Sequence, residues 1–544
     1  MKRRYISVIL SGLMVLSALA ACGSSNGTTT ETTMNNTIVE GDTAKNIDDE
    51  KPPLSQLTVE VFDRGTDGGK TNPADNFYTD WIKAKVLEEL NIEVTFVPVS
   101  RWEETTMLNN LMASGTAPDV CLTYSNDLIT NFRELGGLVN LEPYIDTHLL
   151  DLKEFLGVDF ALQGRDLIRR NADSETGEIY SIPSRVISEA SMNTFIRKDW
   201  LDALDLPLPT TTEEYYDALV AFRDYNPGNV DKVVPLIITS DVDWRARPLL
   251  YSFINPDLTE EERWVYSIVD SYTFLPGYKE GVRFLNKMYH ENLIDRQFML
   301  YQDDVDSDNL IKIGAVGSFM HNWDQAYRDS PGLLKDLLEN VPTAEIVTID
   351  PFVNAAGKTP KNPYNVTGVN WFIPSFSKNV DAALRYVNWL AKFKNRYFLQ
   401  VGEEGITHEL VDGIPKMLTT TGPQIMNSVH NIDYTIPING IDMGDHDKTV
   451  LARAFAYDVH PDIIRKAYAD SIRDNVPGMV VPVNLTASAP YTQTLIDKRK
   501  QLMAAAITTD PQDFDRVWDS GVQDMLDSGG QLSIDERREK YFTP

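Results

Sequence analysis

Between residues 57 and 124 the hydrophobic pattern changes period four times, and this alternation restricts the fold more than any other feature of the chain. Leu57, Val59 and Val61 alternate with Thr58 and Glu60, the two-residue period of a strand. Tyr78, Ile82, Val86 and Leu90 then recur at helical spacing, and Ile92, Val94 and Phe96 alternate again. A helix is expected over 102–114, closed by Gly115 and Pro118, and 120–124 reads as a third strand. A βαβαβ order argues for an α/β fold with a parallel, doubly wound sheet. Ligands of such sheets collect beyond the carboxyl ends of the strands. Those ends are the loop 63–76, Ser100-Arg101-Trp102 and Tyr124-Ser125-Asn126-Asp127. At 544 residues the chain exceeds one comfortable core, so at least two lobes are expected.

Charge and composition remove several functions. Fifty basic against 80 acidic side chains give a formal charge of −30, a field that repels nucleic acid. Two cysteines cannot build a disulfide scaffold or a thiolate zinc site. The seven histidines are scattered, with no His-Glu-x-x-His pair, and no Gly-x-Ser-x-Gly or phosphate-cradling loop occurs. Glu403-Glu404 does not make a glycosidase, which needs two carboxyls held across a bond. Asp442, Asp445, His446 and Asp447 could imitate metal ligands but read as a solvated loop. No cofactor or metal is expected.

The amino terminus reads as an address. Lys2-Arg3-Arg4 precede an apolar run from Tyr5 to Ala21, a secretory signal rather than a core helix. It ends in Leu19-Ala20-Ala21-Cys22-Gly23, which resembles the bacterial lipoprotein box, whose cysteine receives diacylglycerol before cleavage on its N-terminal side. Residues 1–21 are thus expected to be a signal peptide. Their removal leaves 47 basic residues against 80 acidic, a formal −33. Residues 22–56, rich in Ser, Thr, Asn and Gly, are expected to be a lipidated, disordered tether with a reach of ~30 Å. Cys121 then has no partner and should be a buried, inert thiol.

Several segments carry a resemblance to a family. They are Gly177-Glu-Ile-Tyr-Ser-Ile-Pro183, Asn193-Thr-Phe-Ile-Arg-Lys-Asp-Trp-Leu201, Pro209-Thr-Thr-Thr212, Tyr289-His-Glu-Asn-Leu-Ile-Asp295, Gly314-Ala-Val-Gly-Ser-Phe-Met320, Gly368-Val-Asn-Trp-Phe-Ile-Pro374 and Gly402-Glu-Glu-Gly405. In their order along the chain they resemble the bacterial extracellular solute-binding proteins, family 1, and within it the large LipO-type lipoproteins. The resemblance runs from about residue 57 to the end. It implies a two-lobed, periplasmic-binding-protein-like fold of the class II type, with mainly parallel sheets and a hinge. The first lobe would comprise 57–185 with about 370–410, and the second 186–369 with about 411–544. Two chain crossings are expected near 184–190 and 365–371, and a third somewhere between about 405 and 480. Local chemistry agrees: Thr211-Thr-Glu-Glu214 is a capping box, Val380, Leu384, Val387 and Leu390 repeat at helical spacing, and Asp510-Pro511 opens a helix that Gly529-Gly530 should end.

The resemblance implies a lipid-anchored substrate-binding component of an ABC importer, not an enzyme. It would sit on the extracytoplasmic face of the cell membrane through acylated Cys22 and act as a monomer. A carbohydrate, expected to be an oligosaccharide, would be delivered to permease subunits. The alternatives are a surface polysaccharide hydrolase, or a binding protein of the same fold for a non-sugar solute. Sugar recognition needs rings beside planar polar groups on loops, which singles out Trp102, Tyr124, Asn126, Asp127, Trp244, Arg247, Trp323 and Trp371. Each aromatic could equally be a packing residue, and Arg185 could pair with a ligand carboxylate or brace the hinge. Subgroup members with a calcium loop show Asp-x-Asn-x-Asn and then Asp-Glu. Here Asp224 and Asn226 remain, Gly228 replaces the third ligand, and Lys232-Val233 replace the acidic pair. Calcium wants six to eight oxygens, so the site looks dismantled unless Asn229 and Asp231 slip into register.

Overall fold

The alternating run at the start of the first lobe forms strand β1 (Ser55–Asp63), which pairs in parallel with β2 (Ile92–Ser100). The crossover between them is the helix Phe77–Leu90. Its N-cap Asn76 accepts from the backbone N–H groups of Tyr78 and Thr79, and Asn91 closes it in the left-handed conformation. β3 (Cys121–Thr123) follows the helix Glu104–Ser114 and lies parallel to β1: Glu60 N donates to Val120 O at 2.9 Å, and Val120 N to Thr58 O at 3.1 Å. The α-helix starts two residues later than its spacing predicts, because Arg101–Glu103 form a 3-10 turn as the chain leaves β2. In the computed structural model the described residues are 52–64, 72–157, 166–173, 176–269, 271–301, 304–328, 332–362, 365–418, 424, 433–476, 485 and 487–541. The signal segment, Cys22 and nearly all of the tether lie outside them.

The later strands are β4 (Ile182–Val186), β5 (Met192–Arg197), β6 (Val234–Ile237), β7 (Val316–Asn322), β8 (Ile346–Ile349), β9 (Thr367–Phe372), β10 (His408–Val411), β11 (Ile414–Met417) and β12 (Ile438–Asn439). One sheet runs β12-β4-β9-β3, with β1 and β2 continuing it beyond β3; a second runs β6-β7-β5-β8; β10 and β11 form a hairpin. The fold is the expected two-lobed α/β architecture. Its sheets are more mixed than expected, because β5 and β9, the strands that follow the first two crossings, enter their sheets antiparallel to their neighbours. The chain leaves the first sheet between Val186 and Met192 and returns between Ile349 and Thr367.

The third passage follows Asn439. Residues from about 411 onward were expected in the second lobe, yet Tyr434, Ile436 and Ile438 are buried in the same core as Val59, Ile82 and Trp371. Beyond it, Ala454, Ile464 and Ala467 pack with Phe195 and Phe319 of the second lobe. Buried Asp442 marks this passage and pairs with Arg396 at 2.8 Å; Asp445 caps the helix His446–Ala454.

Each lobe has its own core. Trp371 and Trp389 fill the first, and Trp200, Phe222, Met320 and Phe514 the second. Full burial of such side chains contributes about 1.5–3 kcal/mol each. The capping box at Thr211 and Glu214 opens the helix Thr212–Tyr225. The helix that follows Asp510-Pro511 breaks at Gly529-Gly530, as expected. Gly529 adopts φ 112° against the ring of Tyr491, where a Cβ would stand 2.5 Å away, and the chain restarts as the helix Gln531–Tyr541. Cys121 is buried, and burial pushes its thiol well above the ordinary range, with Glu60 and Asp119 adding to the rise. Among the described residues no helix is long and apolar enough to cross a membrane.

Candidate functional site

Because β1, β2 and β3 run parallel, their carboxyl ends lie on one edge of the first lobe. Phe62 and Tyr124 stack there with ring centroids 5.9 Å apart. The Arg101 guanidinium lies 4.2 Å from the Tyr124 ring and 5.5 Å from the Phe62 ring. Arg64 reaches the same pair, 5.8 Å and 6.0 Å from the two rings, and donates to the Tyr124 hydroxyl at 3.0 Å. Cation–π contact of this kind contributes about 0.5–2 kcal/mol. Buried Glu104 fixes the corner: one oxygen accepts from Thr123 Oγ1 and Tyr124 N, both at 3.0 Å, and the other pairs with Arg101 at 2.9 Å.

Beside this corner three amides form a chain. Asn171 Nδ2 donates to Asn370 Oδ1 at 2.8 Å, and Asn370 Nδ2 donates to Asn126 Oδ1 at 3.1 Å. Asn126 and Asp127 are exposed on the first turn of the helix Asn126–Glu134. The chain presents a polar, hydrogen-bonding ridge at the end of β3 and the start of β9.

The second lobe supplies an edge where β6 and β7 end and β5 begins. His321 and Asn322 close β7. The backbone N–H of Asn322 donates to His321 Nδ1 at 2.7 Å, so the ring proton sits on Nε2 and is donated to Asp304 at 3.1 Å. Burial lowers the His321 pKa against the opposing pull of Asp304, which agrees with a neutral ring. Asp304, which also pairs with fully buried Arg245, is held below the usual carboxylate range chiefly by the His321 hydrogen bond. Trp244, half-buried, stands edge-on to His321 at 4.8 Å.

The candidates read from sequence divide accordingly. Tyr124, Asn126 and Asp127 come together on the first edge, and Trp244 stands on the second. Trp102 leaves β2 at the first edge; its side chain lies outside the described residues. Three candidates are interior. Trp371 is 0% exposed, since β9 is a central strand between β3 and β4. Trp323 is 5% exposed, packed edge-on against Tyr457 and Tyr468 because the chain turns inward after β7. Arg185 is 5% exposed and lies 4.9 Å from the Phe155 ring, which Arg396 also contacts at 4.2 Å. Arg247 is half-buried and pairs with interior Asp243 at 3.2 Å. Sequence reasoning missed Arg64 and the Asn171–Asn370–Asn126 chain. Arg64 directly follows β1, inside a strand-end loop already marked by its position; nothing local marks Asn171.

In the segment likened to a calcium loop, Asp224 pairs with Arg223, and the Asn226 side chain bonds to the backbone of Val230. Lys232 carries its ammonium to the fully buried carboxylate of Asp295, at 2.8 and 3.0 Å. A cation of the chain itself thus neutralises that interior acid.

Comparison with known proteins places these features in context. A family model described as bacterial extracellular solute-binding protein matches residues 70–395. Lipoprotein LipO of Bacillus subtilis strain 168 is 24% identical over 480 residues, 83% of this chain and 86% of LipO. An extracellular solute-binding protein from Bifidobacterium longum subsp. infantis superposes with a TM-score of 0.65 at 19% identity, covering 90% of this chain and 98% of that one. The ABC-transporter substrate binding protein FusA of S. pneumoniae, as an EF-hand mutant in complex with fructo-nystose, gives 0.63 at 17% identity, covering 89% and 98%. At these identities the structural likeness shows the fold.

Proposed function

Since this chain belongs to the bacterial extracellular solute-binding proteins, we propose that it is the substrate-binding component of an ABC importer, anchored to the outer face of the cell membrane by acylated Cys22. A single observation carries the reading. Only five residues separate β4, which leaves the first sheet at its polar edge, from β5, which enters the second sheet at its own. Two ligand-competent edges are therefore tied at one end by a short crossing, the arrangement in which a solute can bridge lobes and draw them together. Differential affinity for the closed form supplies the signal that a permease reads.

The solute we assign is carbohydrate, of oligosaccharide size. Amides and guanidiniums beside half-buried rings suit vicinal hydroxyls, and the structurally similar FusA holds fructo-nystose. Neither edge suggests turnover. On the second, Asp304 is committed to Arg245 and His321 and so is not one of the two carboxyls that a glycosidase holds across a bond.

A thermal-shift screen of the mature protein with neutral and acidic oligosaccharides tests the proposal. A ligand that binds only the folded form adds ~2.7 kcal/mol when present at ~100 Kd. At least one oligosaccharide should raise the melting temperature in a saturable, concentration-dependent way. If amino acids or peptides do so and no carbohydrate does, the solute class is wrong.

A further inference from the structure

We infer that Arg64 and Arg101 form the specificity element for an acidic sugar, a glycan residue bearing a carboxylate among its hydroxyls. The inference rests on the carbohydrate reading and narrows it.

The first observation is electrostatic. Mature protein carries a formal −33, yet two guanidiniums are gathered on one pair of rings at the carboxyl ends of β1 and β2, within 6.0 Å of each ring. Bringing like charges together costs free energy, which the ion pair of Arg101 with Glu104 offsets only in part. Both are half-buried, not interior. Arg185, the other cation offered for a ligand carboxylate, is buried against Phe155.

The second observation is rigidity. Arg101 is pinned by Glu104, itself bound to Thr123 and Tyr124, and Arg64 by the Tyr124 hydroxyl. Planar guanidiniums oriented in advance lose little freedom on binding, and their fork geometry matches a carboxylate. Fully buried Phe62 and half-buried Tyr124 serve as the platform for these cations.

The third observation concerns what lies around them. Asp63 and Asp127 are exposed on the same edge, and Asn126 ends the amide chain there. Such a mixed edge repels a dense polyanion. It accommodates a ligand whose carboxylates are separated by hydroxyl donors, which the acids and amides accept. An acidic sugar has that composition; a poly-sulfated chain does not.

The test compares trigalacturonate, maltotriose and a sulfated trisaccharide by calorimetric titration with the mature protein, Arg64→Gln, Arg101→Gln and Arg101→Lys. The wild type should bind trigalacturonate at least tenfold more tightly than maltotriose, with affinity falling as salt rises. Each Gln variant should lose about tenfold or more for trigalacturonate and distinctly less for maltotriose, which loses only hydrogen bonds to its hydroxyls. Arg101→Lys, which keeps the charge and the approach to Glu104 but not the planar fork, should recover only part of the loss. Melting curves show that the variants fold; Arg64→Gln, which leaves the Arg101–Glu104 pair in place, keeps the test decisive if Arg101→Gln does not. Preference for maltotriose, or equal loss for both sugars in the Gln variants, overturns the inference and leaves the carbohydrate reading standing. Preference for the sulfated sugar also overturns it. Binding of no carbohydrate at all, with binding of another solute, defeats both.

Discussion

Trp323→Ala is expected to cost about 3–5 kcal/mol of stability, the usual penalty for truncating a large buried aromatic, with ligand affinity changed by less than about tenfold in protein that still folds. The ring is 5% exposed and sits among Phe195, Phe319 and Tyr327. Tyr457 and Tyr468 meet it edge-on at 6.1 and 5.5 Å, and the Arg453 guanidinium lies 5.9 Å away. Its backbone is tied as firmly: Trp323 N donates to Ser191 O at 2.9 Å, next to the first crossing, and Asn193 donates to its carbonyl at 3.2 Å. Truncation leaves a cavity where the second core meets the hinge. Chemical denaturation and calorimetric titration of one variant decide the matter. Unchanged stability with lost affinity would return the ring to the ligand site.

Trp323 also shows where reading the sequence stops working. Its segment passes from an apolar strand into His321, Asn322 and Asp324, which is the composition of a binding loop. What buries it are Tyr457 and Tyr468, over 130 residues away and delivered by the third passage, and no local pattern announces that contact. Trp371 fails as a candidate for a similar reason, since burial of β9 depends on β3 and β4 flanking it. The first lobe was legible because its signals are local. Alternation over β1 and β2, the helical spacing over Phe77–Leu90 and the capping box at Thr211 each act within a few residues. The position of the first edge followed from strand direction alone, although Arg64, which reaches both of its rings, went unnamed.

The second large effect concerns attachment. Cys22→Ala should abolish membrane association of the mature protein, because the thiol that would carry the lipid is gone. Each buried methylene contributes ~0.8 kcal/mol, so two or more acyl chains hold a protein on a bilayer whereas none leaves only weak surface attraction, which a chain with a formal −33 does not obtain from anionic lipid. Membrane fractionation followed by intact mass measurement reads the outcome: unprocessed precursor or released protein is expected. A variant that stays anchored at the mature size contradicts the lipoprotein assignment while leaving solute binding untouched.

Capture without turnover is the central claim, and calorimetry followed by recovery of the sugar tests it most directly. The best oligosaccharide from the screen is titrated into mature protein, held at saturation for hours, then released by denaturation and sized. The account predicts one oligosaccharide per chain, recovered intact. Shortened products, or the absence of saturable binding for every oligosaccharide in protein that melts cooperatively, would contradict it.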